Sequence, residues 1–343
     1  MEFVGAGTAG RLWPRPGSFT IAPPERAGRN TEDSGATRAA MLFQLQNVTK
    51  TYGPITALSD LTVSAPEGAI GLLGPNGAGK TTMIRALMGL IRLDAGHGEV
   101  LGLDMRRRPL HVRQLVGFVP EDECLFPGVD GVEFVAYAGE LSGMGRTDAM
   151  QRAHEVLDYV GLGEARYRKV ESYSTGMKQR LKIASAVIHD PKLVILDEPT
   201  NGMDPAGRVE VLELARDLSR RMGMSLLFSS HLMPDVEAVC DHVLVMGRGR
   251  LLAQGSIADL TRSERPIFEV RVKGDSAAFA RRLEALGCVT EPKDDRLLVE
   301  LPGGHSPDLL WRAALDVGEQ VRTLKPLRNT LEEVFLKAVA ELA

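Results

Sequence analysis

The sequence predicts an α/β fold built on a parallel sheet, followed by a smaller α+β unit of ferredoxin-like order. Three observations predict it. Short apolar runs at 69–73, 116–119, 193–196, 225–229 and 242–246 are separated by helical stretches, as crossover connections between parallel strands require. A glycine-rich bend, Gly74-Pro75-Asn76-Gly77-Ala78-Gly79-Lys80-Thr81-Thr82, joins the first of these runs to a helical segment. Beyond a polar break at 261–266 the pattern changes to strand, helix, strand, strand, helix, strand.

Taken in order, residues 1–40 are rich in Gly, Pro, Ala and Arg and carry little periodic apolar pattern. They are expected to form a disordered extension, or to precede a true start at Met41. Glu2, Glu25, Glu32 and Asp33 interrupt the positive charge that a transit peptide carries. From Met41 the pattern becomes regular. Residues 43–48 alternate as a half-exposed strand, and 57–63 read as a second strand. Residues 69–73 form a buried strand and 82–88 a helix with one apolar face. Gly96 and Gly98 predict a turn around His97, ahead of a strand at 99–101. Strand 116–119 is stopped by Pro120. Residues from about 122 to 190 read as a helical subdomain, clearest at 132–141 and 149–160.

In the second unit, 267–272 alternates as a strand. Asp275 or Ser276 can cap a helix running to Leu286, with Phe279, Leu283 and Leu286 on one face. Residues 288–290 and 296–301 read as strands across a charged turn, 309–315 as a helix, 320–324 as extended and 330–342 as a last helix. The expected division is an extension at 1–40, an α/β domain at 41–262 and an accessory domain at 266–343.

Composition narrows the function. A net charge of −4 implies no strong attraction to nucleic acid or acidic lipid. No apolar run reaches about 18 residues, so no helix of this chain is expected to span a bilayer. The cysteines Cys124, Cys240 and Cys288 are scattered and suggest a reducing compartment. Arg106, Arg107 and Arg108 read as a solvated loop.

The glycine bend fits the pattern G-x-x-x-x-G-K-[ST]. A triphosphate needs many donors at close range, and glycines let backbone N–H groups turn inward around it. Lys80 would add a positive charge at the β- and γ-phosphates, the Thr81 hydroxyl would bind magnesium, and the helix beginning there would direct its positive end at the anion. The run at 193–196 ends in Asp197 and Glu198. In a parallel sheet both carboxylates fall at the C-terminal edge, beside the phosphate loop. Asp197 would hold the metal and Glu198 would orient or deprotonate the attacking water.

With these elements in place, residues 42–260 resemble the ATP-binding subunits of ABC transporters. Tyr173-Ser174-Thr175-Gly176-Met177-Lys178-Gln179-Arg180 is similar to the family's signature element. The resemblance implies that Ser174, Thr175 and Gly176 face the γ-phosphate held by a second subunit, so that two chains sandwich two ATP molecules. Tyr52 occupies the slot of the aromatic that stacks on adenine, and His231 that of the switch histidine near the γ-phosphate. Asn201-Gly202-Met203-Asp204-Pro205 resembles the D-loop, in which Asp204 would help link the two sites.

Three positions depart from the usual pattern. Glu121 stands where many members have a glutamine that senses magnesium and contacts the membrane partner. Thr175 replaces a signature glycine and Met177 its glutamine. These forms, the accessory domain and the ending Leu331-Glu332-Glu333-Val334-Phe335-Leu336 resemble the branch serving ABC-2-type exporters.

The resemblance implies an Mg-ATP-dependent ATPase on the inner face of the cell membrane. It would act as a homodimer or with a related subunit, drive export through a separate transmembrane permease, and meet that permease through residues near 122–170. The alternative is a soluble ATPase of the same family acting on ribosomes or nucleic acid. Such proteins carry a second ATPase domain or a long coiled-coil insertion, and neither pattern occurs here.

Overall fold

The computed structural model describes residues 41–261, 266–327 and 330–340. The extension expected at 1–40 and most of the polar break lie outside the described residues.

The chain begins with β1 (Met41–Tyr52) and β2 (Ile55–Pro66), then β3 (Ala69–Leu73) and α1 (Lys80–Leu87). It continues through β4 (Ala95–Val100), β5 (Leu103–Asp104), α2 (Pro109–Gln114) and β6 (Val116–Val119). Three helices follow: α3 (Gly131–Leu141), α4 (Arg146–Tyr159) and α5 (Thr175–Val187). Next come β7 (Leu193–Asp197), α6 (Pro205–Arg220), β8 (Ser225–Ser230), α7 (Met233–Val239), β9 (His242–Gly247), β10 (Arg250–Ser256) and α8 (Ile257–Leu260).

The central sheet has the order β10-β9-β3-β8-β7-β6. All neighbours are parallel except β10, which runs antiparallel on the edge. Strands β3, β7 and β8 are buried along their whole length, which is why they read as continuous apolar runs rather than alternating ones. A second, antiparallel sheet of order β2-β1-β4-β5 lies apart from it. One apolar cluster joins the two, with Phe43, Leu58, Ile70, Met83, Ile84 and Leu227 among its members.

Two expectations fail in this part. Gly96 and Gly98 do not make a turn; they lie inside β4, where His97 pairs with Gln46 and Gly98 with Leu45 of β1. A Cβ on Gly96, whose φ is 83°, would fall 2.4 Å from the Asn47 carbonyl oxygen. Glycine is there to let two backbones approach, not to reverse the chain. Strand β10 was not expected at all. It is reached from β9 through the two-residue turn Arg248-Gly249, with φ of 48° and 77°, the geometry that matches the twist of a hairpin.

The second part contains β11 (Ile267–Val272), α9 (Ser276–Ala285), β12 (Val289–Lys293), β13 (Arg296–Glu300), α10 (Asp308–Asp316) and β14 (Val321–Leu327). Its antiparallel sheet has the order β12-β13-β11-β14, the ferredoxin-like arrangement. It has its own apolar cluster, including Phe268, Val270, Phe279, Leu283, Val299 and Leu310. Asp275 is the cap of α9: its carboxylate accepts the N–H of Ala277 at 2.9 Å and of Ala278 at 3.1 Å. The last helix, α11 (Leu331–Ala340), is tied back to α7 where the Leu331 N–H donates to Glu237 Oε1 at 3.2 Å. Among the described residues no helix is long and apolar enough to cross a membrane.

Candidate nucleotide site

Strand β3 delivers the chain to the bend at 74–79, and α1 begins with Lys80. Gly79 sits at the N-cap of α1 with φ of 101°, and a Cβ on it would lie 2.5 Å from the Ala57 carbonyl oxygen. Both conditions demand glycine. Helix α1 has no side-chain cap and no acid in its first turn. Its first N–H groups therefore face the bend without a competing side-chain acceptor. Lys80 is 6% exposed. Its ammonium folds back over the bend, donating to the Gly74 carbonyl at 2.6 Å and reaching that of Pro75 at 3.5 Å.

Strand β7 ends in Asp197, only 1% exposed. Its Oδ2 accepts from the Thr81 hydroxyl at 3.0 Å, and its Oδ1 is buried with no hydrogen-bond partner. Burial pushes the Asp197 carboxyl above its usual range; the Ser229 and Thr81 hydroxyls oppose this, and the nearby charges of Glu198 and Glu121 add to it. An orphaned carboxylate oxygen beside a hydroxyl is a hard-oxygen donor set of the kind that magnesium takes. A cation there would favour the ionised acid.

Glu198, 7% exposed, follows with φ of 47°, in the left-handed region that costs a non-glycine residue about 1–2 kcal/mol. Its Oε1 lies 3.0 Å from the Lys80 ammonium and its Oε2 2.8 Å from His231 Nδ1. The three groups expected to act on the γ-phosphate thus meet at one carboxylate. Sheet order is the cause: β3, β8 and β7 are neighbours, and Lys80, His231 and Glu198 all lie just beyond their C-terminal ends.

The remaining nominated residues fall as follows. Tyr52 ends β1 and is 44% exposed, with the Lys50 ammonium 5.1 Å from its ring centroid. Ser174 caps α5 by accepting the Met177 N–H at 3.3 Å, and Thr175 and Gly176 open that helix. Among the described residues, no hydrogen bond or ion pair joins Ser174, Thr175 or Gly176 to the phosphate loop. Asp204 caps α6, with Pro205 at the first helical position. The Glu121 carboxylate accepts from Asn201 Nδ2 at 3.1 Å.

Two functional candidates escaped sequence reasoning. Asp235, 1% exposed, accepts from the Thr200 hydroxyl at 2.6 Å and from Arg208 Nε at 2.7 Å. It ties the segment after Glu198 to the helix after His231. In sequence it is an ordinary first-turn acid of α7, and only burial distinguishes it. Lys182, on the buried side of α5, donates to backbone carbonyls of the loop after β6.

A cavity of about 290 Å³ lies between Asn76 and His231, with Phe335 of α11 on one wall. A larger cleft of about 570 Å³ lies between the end of α4 and α6 and includes none of the nominated residues. Two ion pairs lie along it, Arg180–Glu210 and Arg221–Asp217.

A lysine folded over a glycine bend and faced by a buried carboxylate is suited to holding a phosphate chain and directing water at its end. That places the chain among the P-loop nucleoside triphosphatases. Residues 58–201 match the family model described as ABC transporter. The ABC transporter ATP-binding protein YxlF of Bacillus subtilis is 33% identical over 300 residues, 87% of this chain and 99% of that protein. The daunorubicin/doxorubicin resistance ATP-binding protein DrrA of Streptomyces peucetius is 35% identical, over 88% of this chain and 93% of that one. The ATP-binding cassette MJ0796, solved as a dimer in a post-hydrolysis state bound to ADP and Pi, superposes with a TM-score of 0.57 at 23% identity, covering 62% of this chain and 98% of that one. The chain belongs to the ATP-binding proteins of ABC transporters, and it is an ATPase.

Proposed function

We propose that this chain is the motor of an exporter. Two copies, or one copy and a related subunit, close around two Mg-ATP molecules and deliver the closing motion to a separate transmembrane permease. No nucleic acid takes part, and the chain works on the inner face of the cell membrane. DrrA carries drug resistance in its name, which supports export, and MJ0796 supports pairing of cassettes. Pairing is supported as well by the isolation of Ser174, Thr175 and Gly176 from their own phosphate loop, since a helix N-terminus of that kind suits a phosphate held by another chain.

In each site the bend at 74–79, Lys80 and Thr82 would hold the phosphates, and Tyr52 would stack on the base. Thr81 and Asp197 would hold magnesium, with Glu121 as a further ligand. When bound there, the metal neutralises charge on the phosphate oxygens. Glu198 accepts a proton from the attacking water, and His231, hydrogen-bonded to that carboxylate, keeps it aimed. We further read 41–262 as the cassette and 266–343 as an accessory domain, because each has its own apolar core. Phe126 and Tyr137, exposed with ring centroids 5.7 Å apart, lie within 122–170 and supply an apolar face for the permease.

The observation that carries this reading is the buried Glu198 carboxylate between Lys80 and His231. Glu198→Gln is expected to bind ATP, to dimerise on it by light scattering, and to lose about 100-fold or more in turnover. Wild-type turnover no faster than the variant's overturns it. Co-purification with membranes from cells that also express the permease tests the partner; association with ribosomes instead overturns the exporter.

A further inference from the structure

The loop between β6 and α3 carries four exposed residues in a row, Glu121 to Cys124, three of them acidic. Such a loop repels itself and gains little from packing, yet it is held from two sides. From α5, the ammonium of Lys182 donates to the carbonyl oxygens of Pro120 at 2.5 Å and Asp122 at 2.8 Å, and reaches that of Glu121 at 3.4 Å. Three ammonium protons thus meet three successive carbonyls, and Lys182 is 8% exposed. One turn earlier on the same helix, Lys178 pairs with Glu123. From the opposite side, Asn201 donates to the Glu121 carboxylate at 3.1 Å.

The two anchors belong to different parts of the site. Helix α5 begins at the signature residues, whereas Asn201 lies three residues after Glu198 and its N–H donates to the Glu198 carbonyl at 3.2 Å. The loop is the piece they share.

We propose that Lys182 is a positioning residue for ATP hydrolysis: it fixes loop 120–122 to α5, so that Glu121 stays against Asn201 and the signature helix, the loop and the turn after Glu198 shift together. The inference rests on the reading of Glu198 as the residue that activates water. Lys182 touches neither the phosphate loop nor Tyr52 among its described contacts, so it acts on the rate and not on the grip for nucleotide.

The test uses the full chain, with ATPase kcat and KM, Mg²⁺ titration and thermal unfolding. Lys182→Met is expected to lower kcat at least tenfold and to raise the Mg²⁺ concentration needed for half-maximal rate, because the loop it fixes carries Glu121, while KM for ATP moves less than threefold. Lys182→Arg, which keeps a cation and several donors, should regain at least a third of the rate. Because the path runs through Asn201, the double variant Lys182→Met with Asn201→Ala should be no slower than the slower single one. A rate within twofold of wild type for Lys182→Met, no rescue by arginine, or losses that multiply in the double variant overturn the proposal. Should Lys182→Met fail to fold, Glu121→Ala and Asn201→Ala still decide: equal losses that do not add support the linkage, and independent losses overturn it. Glu198→Gln separates the two readings, because a wild-type rate that depends on Glu198 but not on Lys182 removes only this inference.

Discussion

The ammonium of Lys80 is the residue on which nucleotide binding turns. It is buried against the Gly74 carbonyl and the Glu198 carboxylate, and among the described contacts it is the ammonium that faces Glu198. Lys80→Ala is expected to abolish ATP binding in a fluorescent-analogue titration and to reduce kcat/KM by at least 100-fold. Uptake and cleavage of ATP at the normal rate would end the account of this site. Tyr52 is a milder case. Its side chain is exposed, and base stacking is worth roughly 1–3 kcal/mol. Tyr52→Ala should weaken ATP binding about 5- to 150-fold, while Tyr52→Trp should leave it close to wild type. Both are measured by the same titration. The motif residues were legible in sequence because a glycine bend and an acid pair each announce their chemistry by type and spacing. The meeting of Lys80, Glu198 and His231 at one carboxylate was not visible there, since no local pattern encodes contacts between residues so far apart along the chain.

At the scale of elements, helix ends do most of the work. Ser174 caps α5, and Ser174→Ala should cost about 1 kcal/mol of stability by denaturant unfolding. At the other end of that helix, burial holds the imidazole of His189 below its ordinary value of 6.5, with a backbone contact to Val116 partly opposing. The folded chain then binds fewer protons there than the unfolded chain. Stability is full above pH 6.5 and falls as the pH drops through and below it. Unfolding free energy measured from pH 8 to pH 5 should show that decline, and His189→Gln should flatten it. The continuous apolar runs of β3 and β7 could be read directly, because a strand covered on both faces has no polar side. β4 could not, because its glycines carry local turn preference that pairing with β1 overrides.

For the molecule as a whole, buried ties between distant segments decide whether the site is one object. Asp235 joins Thr200 and Arg208, linking the turn after Glu198 to α6 and α7. Asp235→Ala leaves the buried Thr200 hydroxyl and a partly exposed guanidinium without their acceptor. It should destabilise the chain by about 2 kcal/mol, read as a fall in Tm. The ferredoxin-like unit behaves differently. Its alternating strands and the Asp275 cap set its order locally, and its core closes without the cassette.

The phosphate loop, the acid pair, most of the strands and both fold types can be read from the amino-acid order, because these depend on residue type, spacing and short-range periodicity. That Glu198 lies between Lys80 and His231, that Asp235 is buried, and that Lys182 and Asn201 hold one acidic loop from two sides emerges from the folded chain alone. Those facts come from sheet order and helix packing, which bring together side chains whose separation along the chain carries no signal.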